Sequence, residues 1–412
     1  VDSGSGTGRA LRRVGYLPRT LGARWGARPG PTPTDDRAWA DILWGWVERQ
    51  AEQLAADVTA DHAGRAVRPT DIVARARRLW TLAHLNRHGI GGDAVAEALP
   101  SARAMVDRHA DPDFGGYLWS VGHDAPNDQK LLYGQTVVVH ALAELALADP
   151  AAGPAAMADA ESALALATGT RTTGGRVIAE FVDRRWERLP DGSDTKMGVA
   201  GRVTIGGQLH LVEAVAVLVA AGGSDHARAV GRTTADILHD RFLAGPDHPD
   251  QSWTDERGEP LPEPASLGHK VEAAWILADA AGVLDLTDEG PRARRWIEEA
   301  LRTGFRHGGL GDMPYSGFRP GGQHRSWWVQ AELLRALVEI DRGPDASPRG
   351  VMRQLLRWLH RHQVDPRAGQ ARQLMTHRGL VLVTGEGTTA RTGYHDVRAY
   401  VAAARLLGGH AA

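Results

Sequence analysis

From Asp35 onward, apolar residues return at helical spacing in one segment after another, separated by turn-forming residues, and almost nothing alternates as a half-buried strand would. The pattern predicts twelve helices, approximately over 35–58, 69–88, 92–109, 129–148, 153–169, 205–223, 225–243, 266–284, 289–305, 324–340, 348–363 and 394–409. The longest gaps precede the fourth, sixth, eighth, tenth and twelfth. Several gaps carry a Gly-Gly or Asp-Pro phrase: DPDFGGYLW (111–119), TTGGRVIAEF (172–181), HGGLGDM (307–313) and DPRAG (365–369). A phrase returning about every 60 residues marks a repeated helical hairpin, and twelve helices make six of them.

The two members of a hairpin differ in kind. Segment 289–305 is striped with charge (RARRWIEEALR), as a helix with one wet face should be, whereas 205–223 has Glu213 as its only charged residue. Alternating half-wet and dry helices predict two concentric rings, an all-α (α/α)6 barrel over 35–412. An open α-solenoid or two separate bundles are the alternatives, but a solenoid would not need its second helices so dry. Residues 1–34, rich in Gly, Pro and Arg without periodicity, are expected to form a flexible basic arm. The Gly-Ser-Gly-Thr-Gly run within it has no strand before it and no apolar helix after it, so it is no nucleotide loop.

Composition narrows the chemistry. Lys plus Arg (48) nearly balance Asp plus Glu (50), which argues against nucleic acid or an anionic membrane and for a small neutral partner. The absence of cysteine removes thiolate nucleophiles, disulfides and cysteine-ligated metals. No long apolar span or signal-peptide core is evident, so a cytoplasmic protein is expected. The 13 Trp and 18 His suit either a sugar cleft or helix packing.

In a double ring the inner helices share one direction, so their N-termini surround one mouth. Polar residues do cluster at those starts: Arg77 in the second helix, Tyr133 and Gln135 in the fourth, His210 and Glu213 in the sixth, His269 and Glu272 in the eighth. The tenth contributes Trp327, Trp328 and Glu332, and the twelfth Tyr394 and His395. A helix N-terminus favours neutral imidazole, so histidines there are poised as acid and base. Two on different helices suit moving a proton off a carbon beside a carbonyl, with Arg77 steadying the enediolate oxygen. The competing reading is a set of core histidines bonded to nearby carboxylates. HLVE and HKVE are not HExxH, so no catalytic metal is expected. Inverting glycoside hydrolysis would need two carboxylates across the cleft, for which Glu272, Glu332 or Asp113 are conceivable.

The phrases KLLYGQTVVVHALAEL (130–145), GQLHLVEA (207–214), SLGHKVEAAWIL (266–277), SWWVQAELLRAL (326–337) and TGYHDVRAYVAA (392–403), in this order, resemble the N-acylglucosamine 2-epimerase family. That family includes cellobiose 2-epimerases and mannose isomerases and has the (α/α)6 fold. The resemblance implies His269 and His395 as the acid/base pair, His210 assisting substrate binding and ring opening, and Arg77 as the arginine of the R-x-L-W phrase. It implies that Glu272 and Glu332 orient the histidines or substrate hydroxyls. It further implies a cis-enediolate route without cofactor, acting on a free sugar, in a protein whose relatives are commonly dimers. Three departures stand out. Gly206-Gly207-Gln208 replaces the N-x-H of many relatives, Ala390-Arg391 stands where many carry Trp, and Lys270 sits where a small or acidic residue is usual. The missing indole argues against a stacked disaccharide, and mannose-type monosaccharides come first. A glycoside hydrolase, or a sugar-binding barrel without activity, are the rival readings.

Overall fold

The computed structural model describes residues 31–65, 71–121, 127–169, 177–243, 250–262, 265–311, 324–341, 348–385 and 392–409. Within them run α1 (Asp36–His62), α2 (Ile72–Arg87), α3 (Gly92–Asp107), α4 (Leu132–Ala148), α5 (Gly153–Gly169) and α6 (Ile205–Ala220). Then follow α7 (Asp225–Ile237), α8 (Leu267–Leu284), α9 (Glu289–Gly304), α10 (Trp327–Asp341), α11 (Arg349–Trp358) and α12 (Tyr394–Gly408). Capping side chains set several of the starts: Asp35, Asp71, Thr204, Ser224 and Ser266 each accept the backbone N–H three residues on. The expected arm lies outside the described residues apart from 31–34, of which Thr32 accepts a hydrogen bond from Arg361.

The even-numbered helices form a closed inner ring, each packing on the next and α12 returning to α2. Burial follows the expected division. α6 buries every residue from Gly207 to Val215, while α9 buries a single stripe, Glu289, Ala293, Trp296, Ile297, Ala300 and Gly304. This is the (α/α)6 barrel. The pairing is shifted from a simple count of successive hairpins, because each outer helix packs on the inner helix before it and α1 packs on α12. The two chain ends therefore make the sixth pair. Arg349 and Arg353 of α11 reach Asp36 at 2.9 and 2.8 Å, and Gln50 donates to the Gly369 carbonyl at 2.7 Å. Gly369 has φ +68°, and a Cβ there would lie 2.3 Å from the Trp46 carbonyl oxygen, so only glycine fits that seam.

Short strands correct the expectation of almost none. Lys130–Leu131 pairs with Phe181–Val182, Arg202–Thr204 with Trp253–Asp255, and His324–Ser326 with Leu374–Thr376, all antiparallel. Helices expected to begin at 129 and 324 thus begin at Leu132 and Trp327, preceded by strand. Each ladder joins the loop before one inner helix to the loop before the next, giving the backbone groups at the mouth their partners. Glutamines fasten the same loops. Gln135 accepts from the Tyr117 N–H at 2.9 Å and donates to its carbonyl at 2.6 Å; Gln330 does the same to Leu310 at 2.9 and 2.8 Å. Gln208 donates to the Ile178 carbonyl at 3.3 Å.

Candidate active site

His269 stands on the first turn of α8, its backbone N–H capped by Ser266 Oγ at 3.1 Å. Its ring lies 5.1 Å from that of Trp328, and its Nε2 points toward α6, where a Cβ added at Gly206 would come within 3.8 Å. The preceding Gly268 lets α8 press on α10, since a Cβ there would lie 2.6 Å from the Trp328 ring and 2.7 Å from Val329. Trp328 is shared. His395, on the first turn of α12, lies 6.2 Å from the same indole and 6.3 Å from that of Trp327.

His395 is buried and its Nδ1 donates to Glu332 Oε1 at 2.5 Å. Burial drives the imidazole down to about 3, against the pull of Glu332, so the ring is neutral at neutral pH. With its hydrogen on Nδ1, its Nε2 lone pair is available as a base. Burial alone would raise Glu332, but Arg398 and the bond from His395 hold it at about 2. Its oxygens are fully engaged: Arg398 donates to Oε1 at 2.7 Å and Trp275 Nε1 to Oε2 at 2.7 Å.

Arg398 also pairs with Glu213, whose other oxygen accepts from His210 Nδ1 at 2.7 Å and from the Tyr394 hydroxyl at 2.7 Å. Against the cost of burial, Arg398 and the hydrogen bond from His210 hold Glu213 ionised, well below the ordinary range. Arg77 donates to the Tyr133 hydroxyl at 2.6 Å and stacks over Tyr394 at 4.6 Å. Burial raises both phenols, which stay neutral donors.

Glu272 completes the floor. Its Oε1 is 3.6 Å from His210 Nε2 and 3.9 Å from Arg398, and has no hydrogen-bond partner among the described residues. Burial and the neighbouring Glu332 push its carboxyl well above the ordinary range, which favours the neutral acid. A buried neutral acid with an oxygen to spare is suited to a sugar hydroxyl. Glu272, Glu332 and His395 offer ligand atoms within 4.8 Å of one another, which could hold a cation on distance alone. The donor set does not fit one: three N–H groups already occupy the Glu332 oxygens, and Arg398 supplies the positive charge there.

Eleven of the expected residues converge on this floor or its rim: Arg77, Tyr133, His210, Glu213, His269, Glu272, Trp327, Trp328, Glu332, Tyr394 and His395. Gln135 does not. Its amide is turned to the Tyr117 backbone and holds the loop, so the expectation of a substrate contact is corrected. Lys270, also singled out, is buried and spent on Asp250 and Glu299, both at 2.7 Å. In the glycine pair, Gly207 packs on Glu180, whose Oε1 a Cβ would meet at 2.1 Å. Ala390 and Arg391 lie outside the described residues. Sequence reasoning missed Arg398 and Trp275, although each lies at i+3 from an expected site residue, His395 and Glu272, and so on its helix face.

A model of the N-acylglucosamine 2-epimerase (GlcNAc 2-epimerase) family matches residues 58–399. Cellobiose 2-epimerase of Eubacterium cellulosolvens is 28% identical over 285 residues, 63% of this chain and 68% of that one. The structure of cellobiose 2-epimerase from Bacillus thermoamylovorans superposes with a TM-score of 0.73 at 19% identity, covering 82% of this chain and 88% of that one. A D-mannose isomerase structure superposes with a TM-score of 0.70 at 15% identity, covering 82% and 87%.

Proposed function

The chain belongs to the N-acylglucosamine 2-epimerase family, and on that premise we propose that it is a sugar 2-epimerase or aldose–ketose isomerase acting without cofactor on a free, unphosphorylated reducing sugar, mannose-type first. One observation carries the reading: His269 and His395, from different helices, pack on the same Trp328 indole, and His395 has its Nδ1–H pinned by Glu332. Neutral His395 removes the proton from C2 of the open-chain aldose. The C2–H electrons become the C1–C2 double bond of a cis-enediolate, and O1 takes the charge beside Arg77. His269 returns a proton. Delivery to C2 on the opposite face gives the epimer; delivery to C1, with the O2 proton passing to O1, gives the ketose. Arg398 is consumed by Glu213 and Glu332, which favours a neutral sugar over a phosphorylated one.

Glycoside hydrolysis fits less well. It needs two carboxyl groups free to act across the scissile bond, and every oxygen of Glu332 is already bonded. Mannose, glucose, fructose, N-acetylmannosamine and cellobiose, incubated in D2O and followed by NMR, separate the readings. Deuterium at C2 or C1 of one of them is expected. Cleavage of an oligosaccharide without exchange would mark a hydrolase, and a shift in Tm with neither would mark a binding barrel.

A further inference from the structure

Behind the mouth, α2, α4, α6 and α12 enclose polar groups that the proposed proton transfer does not touch. Trp80 Nε1 donates to His140 Nε2 at 2.9 Å, both side chains buried. An indole N–H only donates, so His140 Nε2 must be bare and the neutral ring carries its hydrogen on Nδ1. That nitrogen is 3.2 Å from the Tyr394 hydroxyl oxygen, which therefore accepts from His140 as well as from Arg398 at 3.1 Å. The Tyr394 hydrogen is left for Glu213 Oε2, 2.7 Å away, and the same oxygen accepts from His210 Nδ1 at 2.7 Å. The donor-only indole thus decides that Tyr394 donates to Glu213 and not to His140, while Glu213, which can only accept, keeps a hydrogen on Nδ1 of His210, whose Nε2 faces the spare Glu272 oxygen.

We propose that Trp80 and His140 are positioning residues, a tautomer lock that keeps the Tyr394 hydroxyl donating to Glu213, the carboxylate that holds His210. The proposal rests on the reading of the mouth as a sugar site. The lock also opposes protonation of His140, because an imidazolium would turn an N–H against the indole N–H. The charged and titratable groups facing His140 are Glu213 and His210 from α6, Tyr394 and Arg398 from α12, and Glu144 one turn along α4, itself bonded to His84 of α2 at 3.0 Å. Burial, the largest influence, already holds His140 at about 4.

The test uses the full chain with 15N-labelled histidine. Long-range 1H–15N spectra of the sugar-free protein should show His140 as the Nδ1–H tautomer down to about pH 5. Trp80→Phe keeps the ring packing against His84 and Tyr394, 4.7 Å each, and deletes the donor. In that variant His140 should sample both tautomers and take up a proton at higher pH. The acid limb of sugar exchange should move up by about one pH unit, and kcat should fall about tenfold with KM within about twofold. His140→Gln, with an acceptor and a donor but no titration, should retain about tenfold more activity than His140→Leu. A Trp80→Phe protein with the wild-type tautomer and pH profile, or equal activity in the two His140 variants, would overturn the proposal and leave Trp80 as packing alone. Should Trp80→Phe not fold, the two His140 variants decide. The spectra require no turnover, so absence of exchange on every sugar would count against the proposed function and not against the lock.

Discussion

Glu332 Oε1 accepts a 2.5 Å hydrogen bond from Nδ1 of His395, joining a carboxylate on α10 to an imidazole on α12. The bond fixes which ring nitrogen is the base. Replacing the carboxylate by an amide of the same shape, Glu332→Gln, removes the charge that holds the tautomer while keeping the packing against Trp275. The expected outcome is a loss in kcat of about 10²–10⁴-fold, with the fold intact by circular dichroism.

Lys270 and Gln135 should behave as structural residues. Lys270→Met leaves Asp250 and Glu299 without their shared cation, and a loss of about 1–3 kcal/mol in denaturant unfolding is expected, reduced from a fully buried pair by the exposure of the acids. Gln135→Leu deprives the Tyr117 backbone of both partners and should cost about 2–4 kcal/mol. In both, KM for the sugar should stay within about twofold. A large rise in KM with unchanged stability would return either residue to the sugar site.

Glu180 gives a pH-dependent signature of stability. Burial pushes its carboxyl from the ordinary 4.5 up to about 8, against the hydrogen bonds from Thr204. The folded chain therefore holds one more proton than the unfolded chain between those values, so stability falls as pH rises through 4.5 to about 8 and then levels off. Glu180→Gln keeps an acceptor for Thr204 and removes the titration. Its Tm advantage over the wild type should be smallest near pH 4.5 and largest above about 8. A pH-independent difference in Tm would contradict this.

The occupied oxygens of Glu332 predict that chelation has no effect. Exchange measured after dialysis against EDTA should match the untreated rate, and added divalent cations should not raise it.

Helical periodicity carried most of the architecture, because an inner ring needs helices dry on both faces, as the even-numbered segments are, and an open solenoid does not. Register then carried the site, since Tyr133, His210, His269, Trp327 and His395 all fall within the opening turns of their helices. What escaped was nonlocal or lay deeper along the helices. The ladder partners of Lys130–Leu131 and Arg202–Thr204 lie some 50 residues away, so nothing near them signals a strand. Arg398 and His140 sit past the first turn, where a polar residue in an apolar run looks like an isolated exception. Only the convergence of α4, α6, α10 and α12 shows that His140 meets Tyr394 and that Arg398 bridges Glu213 and Glu332. Gln135 misled for the opposite reason: it has the right position on its helix but faces the loop.

The central claim is that two histidines on α8 and α12 move one carbon-bound proton. The direct measurement is deuterium incorporation at C2 or C1 of mannose or glucose in D2O, by NMR, for the wild type, His269→Ala and His395→Ala. Incorporation by the wild type and a fall of at least about 10³-fold in each variant are expected. Full exchange in both variants, or none in the wild type on any of the five sugars, would contradict the account.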